Sequence, residues 1–210
     1  MIVTNSLIRR RDDIDLATFQ QHWLDPHGPL AAKLPRCRRY VQNHILDLPG
    51  TNALARSLHV DGIPQLAFDT PEDRMAGFGS PELKACDRDS ELFIGAVARV
   101  ITALEGAAEF EGPQGSIKQM LLFVSTPATA KQHLAQTIVA DLAGVRRAVH
   151  HQVLEQGSAP GSKVPHLNVS VEGFCEVWLE SMDAVRCNAA LLDAEGSGVA
   201  SFVVKTYSFI

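Results

Sequence analysis

Apolar residues at the two-residue spacing of strands alternate along this chain with apolar residues at the three-to-four spacing of helices, and the order βαββαβ occurs twice. Ile2 to Arg10 reads as a first strand. Asp15 reads as the N-cap of a helix on which Leu16, Phe19 and Trp23 recur at helical spacing. Pro26 and Gly28-Pro29 predict that this helix bends or ends, because proline lacks an N–H and restricts the residue before it. Arg38 to Leu48 and Leu58 to Phe68 read as the second and third strands. Thr70-Pro71 opens the next helix with a cap and a first-turn proline, and Ile94 to Leu104 closes the unit. The second unit reads as a strand from Ile117 to Ser125, a helix ending near Asp141, and strands Val145 to Leu154 and Leu167 to Leu179. A helix from Ser181, with Met182, Val185, Ala189 and Leu192 in one stripe, and a last strand Val199 to Phe209 complete it.

The two units share residues as well as order. Leu34 to Leu46 laid over Leu142 to Leu154 without a gap matches the leucines at both ends, Arg38 with Arg146, Arg39 with Arg147 and Val41 with Val149. This divides the chain into residues 1–108 and 117–210, joined by 109–116, whose Gly-Pro-Gln-Gly-Ser has the composition of a linker. A four-stranded antiparallel sheet with both helices on one side buries that side only, so its other apolar face calls for a partner.

A formal net charge of −5 gives no electrostatic footprint for nucleic acid, and the one basic run, Arg9-Arg10-Arg11, is followed at once by Asp12-Asp13. Cys37, Cys86, Cys175 and Cys187 stand far apart with no Cys-x-x-Cys pair, which argues against zinc or redox chemistry. No basic and apolar leader opens the chain and no segment approaches the ~20 apolar residues of a membrane span, so a cytoplasmic protein with reduced thiols is expected. Gly-rich phosphate and dinucleotide fingerprints are missing, as is a Gly-x-Ser-x-Gly elbow. His150 and His151 are neighbours on a strand and point to opposite faces, so they do not make a metal pair with His166 and Glu172.

Chemistry concentrates in one tract. His22-Trp23-Leu24-Asp25-Pro26-His27-Gly28-Pro29-Leu30, followed by Arg39-Tyr40-Val41-Gln42-Asn43-His44, puts three imidazoles, two aromatic rings and two carboxamides into one passage from helix to strand. With Phe19, Leu34-Pro35, Asp61-Gly62-Ile63, Leu66-Ala67-Phe68 and Ser80-Pro81-Glu82, this pattern resembles the EthD family of small dimeric α+β-barrel proteins over most of residues 1–105. The resemblance implies ferredoxin-like βαββαβ units whose sheets close into a barrel in pairs. With two units in tandem, an intramolecular pseudo-dimer is expected, with further homo-oligomers left open. The second unit lacks the His-Gly-Pro and has Ala148 where the first has Tyr40, so the family residues carry over to the first unit alone.

His27 is the candidate general acid or base, because imidazole titrates near neutral pH, and Tyr40 the candidate donor to a developing oxyanion. His22, Trp23, Gln42, Asn43 and His44 are the candidate substrate-binding residues, with no metal ligand among them. On the second strand the apolar members predict that Val41 and Ile45 pack on the helices while Tyr40, Gln42 and His44 face the barrel interior. In sequence, Asp25 is the one carboxylate beside His27. The expected activity is a small cofactor-independent enzyme that moves a proton on an aromatic-derived, quinone- or lactone-like metabolite, as an isomerase, cyclase or oxygenase. The alternatives are a non-catalytic ligand-binding or accessory protein of an oxygenase system and, more distantly, a haem-binding barrel.

Overall fold

The computed structural model describes residues 1–104, 109–124, 137–157, 162–193 and 197–210. The first half of the chain forms β1 (Ile2–Arg10), α1 (Leu16–His22), a π-helical turn (Trp23–His27), α2 (Gly28–Ala31), β2 (Arg39–Ile45) and α3 (Ala53–Ser57). It continues through β3 (Gly62–Phe68), α4 (Pro71–Phe78), α5 (Pro81–Phe93) and β4 (Ile94–Ala103). The second half forms β5 (Ile117–Val124), a helical stretch α6 at residues 137–141, β6 (Val145–Gly157), β7 (Val171–Leu179), α7 (Met182–Leu192) and β8 (Val199–Ser208). The start of the helix expected to end near Asp141 lies outside the described residues.

The caps read from the sequence are in place: Asp15, Thr70 and Ser181 each accept a backbone N–H three residues on. Three features differ, the first being that the strand expected from Leu167 begins at Val171. Asn52 caps a short helix, α3, so the third strand begins at Gly62 instead of Leu58. Ser80 caps a fresh helix with Pro81 in its first turn, which splits the second helix of the unit into α4 and α5.

All eight strands pair antiparallel with their neighbours and close into a barrel in the order β1-β3-β2-β8-β5-β7-β6-β4. Each half contributes one set of four, β4-β1-β3-β2 and β8-β5-β7-β6, and the seams are β2 with β8 and β4 with β6. This is an intramolecular pseudo-dimeric α+β barrel, which satisfies every sheet edge without a second chain.

One half of the barrel interior is apolar, with Leu7, Ile63, Met120, Phe174 and Phe202 packed together. Beyond it lies a polar band that the apolar strand pattern did not foretell. Lys118 Nζ meets Glu176 Oε2 at 2.5 Å and donates to Asn43 Oδ1 at 3.0 Å, Gln65 Oε1 at 3.2 Å and the Phe110 carbonyl at 3.3 Å. Glu176 Oε1 accepts from His151 Nε2 at 2.7 Å and Gln65 Nε2 at 2.8 Å. Three of these bonds, from Lys118 to Asn43 and Gln65 and from Gln65 to Glu176, cross from one half of the barrel to the other and tie the halves in one register.

The halves also exchange straps. The β2–β3 connection lies on β8, where Leu46 N–H donates to Val203 O and Asn52 N–H to Ser201 O. In return the β6–β7 connection lies on β4: Val97 N–H donates to Pro165 O and Leu167 N–H to Val97 O, both at 2.9 Å. Over the second half the strap is packed flush. Gly50, at φ 101°, leaves no room for a side chain, since a Cβ there would stand 2.3 Å from Val185 Cγ1. Over the first half Ser162 and Val164 of the other strap instead roof a cavity.

Candidate active site

The first helix does not stop at Pro26. Proline has no N–H to give to the helical ladder, and the turn widens so that Gly28 N–H reaches back five residues to Trp23 O. The chain then continues as α2, and the widened turn delivers His27 to the face of α5. His27 is 9% exposed, and its Nδ1 lies 2.8 Å from Asp89 Oδ2. The other oxygen, Asp89 Oδ1, lies 3.1 Å from His22 Nε2. A carboxylate only accepts, so His27 carries its proton on Nδ1 and His22 on Nε2. The hydrogen bond from His27, helped by that from His22 and opposed by burial, holds the Asp89 carboxyl below its usual range. Both rings pack on Phe93, His22 stacked at 4.7 Å and His27 edge-on at 5.1 Å between centroids.

With Nδ1 committed to Asp89, Nε2 is the nitrogen His27 has left for a ligand. His27 lines a cavity of about 80 Å³ between the outer face of the first sheet and α2, α4 and α5. Tyr40 lines it too, with Leu34 and Leu66 as apolar wall. From α5 come Leu83, Cys86, Asp87 and Ser90, whose i, i+3, i+4, i+7 spacing is one helical face. Burial pushes the Cys86 thiol up to about 12, so it is no nucleophile at neutral pH.

Tyr40 is fixed by its strand neighbour. Gln42 Nε2 donates to the Tyr40 hydroxyl at 2.8 Å and to Trp23 O at 2.7 Å, while Gln42 Oε1 lies 2.9 Å from His44 Nε2. Both amide hydrogens are thereby used, and the His44 ring is left to donate to Oε1. Burial, with a smaller contribution from Lys205, lowers the His44 pKa to about 4, so the ring is neutral at pH 7. Burial also pushes the Tyr40 hydroxyl far above its usual range, against the hydrogen bonds of Gln42 and Trp23. Because the hydroxyl accepts from Gln42, its own proton remains to be donated.

The facing expected for β2 is therefore inverted. Tyr40 packs with Ala31, Leu34, Leu66 and Phe68 under the helices, whereas Val41 packs with Val3, Ala67, Leu104 and Phe110 inside the barrel. Period two dictates which residues share a face but not which face turns inward, and here both faces are covered. The inversion is what brings Tyr40 and His27 to one cavity. Of the five candidate binding residues, none lines it. Asn43 faces the barrel interior, bonded to Gln65, Lys118 and Thr206. Trp23 stacks on His44 at 4.3 Å and, with Gln42, braces the widened turn; His22 reaches the site through Asp89.

Asp25, the carboxylate nearest His27 in sequence, bonds Gln21 instead. The carboxylate that matters, Asp89, is 62 residues away and went unread. The signal for it was there: Asp89 and Phe93 are four apart on α5, one face round from the cavity stripe. The cavity is well below the ~300 Å³ at which small-molecule pockets usually begin, and the site as it stands does not fit a porphyrin. Among the described residues no group of three or more His, Cys, Asp or Glu side chains could hold a metal ion.

The closed eight-stranded barrel, with a histidine–carboxylate pair under its first helices, defines a pseudo-dimeric α+β-barrel protein. Residues 11–96 match the family model described as the EthD domain. No curated protein sequence matches it. An anthrone oxidase-like protein superposes with a TM-score of 0.58 at 14% identity, over 99% of this chain and 92% of that one. A putative monooxygenase from Lactobacillus acidophilus NCFM gives 0.51 at 6% identity, over 98% and 93%. One from Fusobacterium nucleatum subsp. nucleatum gives 0.50 at 6% identity, over 98% and 91%. These likenesses establish the fold. No helix among the described residues is long and apolar enough to cross a membrane.

Proposed function

We propose that this protein is a small enzyme that starts its reaction by removing a proton beside a carbonyl, with His27 as base. The observation that supports this best is the His27–Asp89 hydrogen bond at the wall of a largely apolar cavity. Asp89 fixes the tautomer in which Nε2 is the free base, and it steadies the imidazolium that forms when Nε2 takes the proton. The Tyr40 hydroxyl, protonated and with its hydrogen uncommitted, donates to the enolate oxygen. A placed imidazole base contributes about 10² to 10⁴ in rate.

A cavity of about 80 Å³ restricts the substrate to a small one, of one ring at most, such as a quinone- or lactone-like metabolite. We also take residues 1–108 and 117–210 as the two units and 109–116 as their joint.

The test is exchange of α-protons into D₂O, followed by proton NMR on a panel of lactones, hydroxyquinones and cyclic ketones, with oxygen uptake recorded alongside. Wild type should speed exchange for one class, and His27→Ala should abolish it; uptake of oxygen separates oxygenation from isomerisation. Exchange that survives in His27→Ala would overturn the proposal.

A further inference from the structure

The cavity wall also carries a cation, and its chemistry differs from that of His27. Arg99 on β4 lines the cavity, with a side chain only 16% exposed. A guanidinium carries five N–H donors in a planar fork. Among the described residues the Arg99 guanidinium has no hydrogen-bond partner, although the backbone of Arg99 is paired in the sheet. Its nearest acid is Asp87 at 3.8 Å, beyond hydrogen-bond reach, and its guanidinium lies 5.4 Å from the Phe78 ring centroid. Asp87 is itself 42% exposed, so the approach is a loose one. Arg74 sits on the same ring at 4.6 Å and adds a second positive charge. Phe78 and Arg99 both belong to the cavity wall, as do His27 and Tyr40.

Resting on the reading of this cavity as a substrate site, we infer that Arg99 is its specificity-determining residue and that the substrate is an organic anion. A carboxylate accepts two parallel hydrogen bonds from the Arg99 fork, which orients the molecule so that its enolisable carbonyl meets Tyr40 and His27. A ligand of matching shape that lacks the negative charge leaves a largely buried guanidinium without its partner, and that loss is the source of discrimination. The class implied is a keto acid or lactone acid of one ring at most, with the carboxylate on the side away from the acidic C–H.

The probes are two acid and ester pairs, 4-oxocyclohexanecarboxylate with its methyl ester and levulinate with its methyl ester. Binding is measured by calorimetry, and α-proton exchange by NMR, for wild type, Arg99→Gln, Arg99→Lys and His27→Ala, each checked for folding by circular dichroism. Wild type should bind the acid of at least one pair about 10- to 100-fold more tightly than its ester, the range expected of a charge-assisted bidentate contact. Arg99→Gln should lose that preference, chiefly through weaker binding of the acid, and Arg99→Lys should keep part of it. His27→Ala should keep the preference and lose exchange. Equal binding of acid and ester by wild type, with exchange intact, would overturn the anion subsite and leave His27 as base. A preference that persists in Arg99→Gln would assign it to another group and also overturn the inference. Failure of every probe to bind wild type would overturn both the subsite and the reading of the cavity on which it rests.

Discussion

Asp89 on α5 accepts the Nδ1 proton of His27 at 2.8 Å, and so decides which nitrogen of that ring is left free to act as a base. The pair joins the two helical layers of the first unit, and it exists only because the π-helical turn carries His27 under α5.

Replacing Asp89 by Asn removes the group that dictates the tautomer, since an amide can donate as well as accept. Turnover, measured as α-proton exchange, should fall by about 100-fold or more while the fold survives. Its partners hold the Asp89 carboxyl below the usual range, so the carboxylate is still charged wherever the imidazole is free to act as base. Unchanged exchange in Asp89→Asn would reduce the pair to a helix anchor.

Tyr40→Phe deletes an acceptor of Gln42 Nε2 in a fully buried setting. An orphaned buried donor costs about 1–3 kcal/mol, so the urea midpoint should drop by that equivalent. Exchange should fall as well, by roughly the 10²-fold or more of a lost oxyanion donor. Loss of stability with full activity would make the hydroxyl a brace for Gln42 and nothing more.

His44 supplies a pH dependence with a definite sign. Its folded pKa is lowered from 6.5 to about 4 by burial, so between those values the unfolded chain takes up a proton that the folded chain refuses. Stability is therefore greatest above pH 6.5 and declines as the pH falls toward 4, by at most ~3 kcal/mol from this ring. Urea titrations from pH 7.5 to 4 should show the slope, and His44→Phe, which keeps a ring on Trp23, should flatten it.

Gly62→Ala puts a Cβ 2.2 Å from Trp23 Cζ3. The indole must leave its stack on His44, and the widened turn that holds His27 moves with it. A loss of about 1–3 kcal/mol is expected, together with reduced exchange. A variant with wild-type melting and activity would show that the turn does not depend on Trp23.

In the barrel interior, burial pushes the Glu176 carboxyl up, but Lys118 and His151 outweigh it and bring it down to about 2 from a usual 4.5. Its contribution is thus complete above pH 4.5 and is lost as the pH falls toward 2. Glu176→Gln strands the Lys118 charge and should cost about 3–5 kcal/mol in urea unfolding at pH 7, whereas Lys118→Met with Glu176→Leu and His151→Leu together should cost much less. Equal losses in the two variants would mean that the charges contribute net stability and not chiefly register.

The elements of the fold were legible in the sequence because period, caps and turn residues act locally. Asp15, Thr70 and Ser181 cap the helices they were read to cap, and the first strand spans the residues its alternation marked. His27 and Tyr40 were legible as a pair of chemical groups. Asn43 was not separable from Gln42 and His44, because a strand's polarity does not tell a face under helices from a barrel interior that itself holds Lys118, Glu176 and His151.

By itself, then, the sequence determined the order of elements, the tandem repeat and the first unit's monopoly of the His-Gly-Pro tract, all of which depend on neighbours within a few residues. Three things were decided by tertiary structure alone: which side of β2 turns outward, which carboxylate meets His27, and how the second unit's strap at Ser162 and Val164 roofs the first unit's cavity. Each depends on contacts between residues tens of positions apart, and the energy of such contacts is fixed by how sheets close and helices settle, which local spacing does not encode.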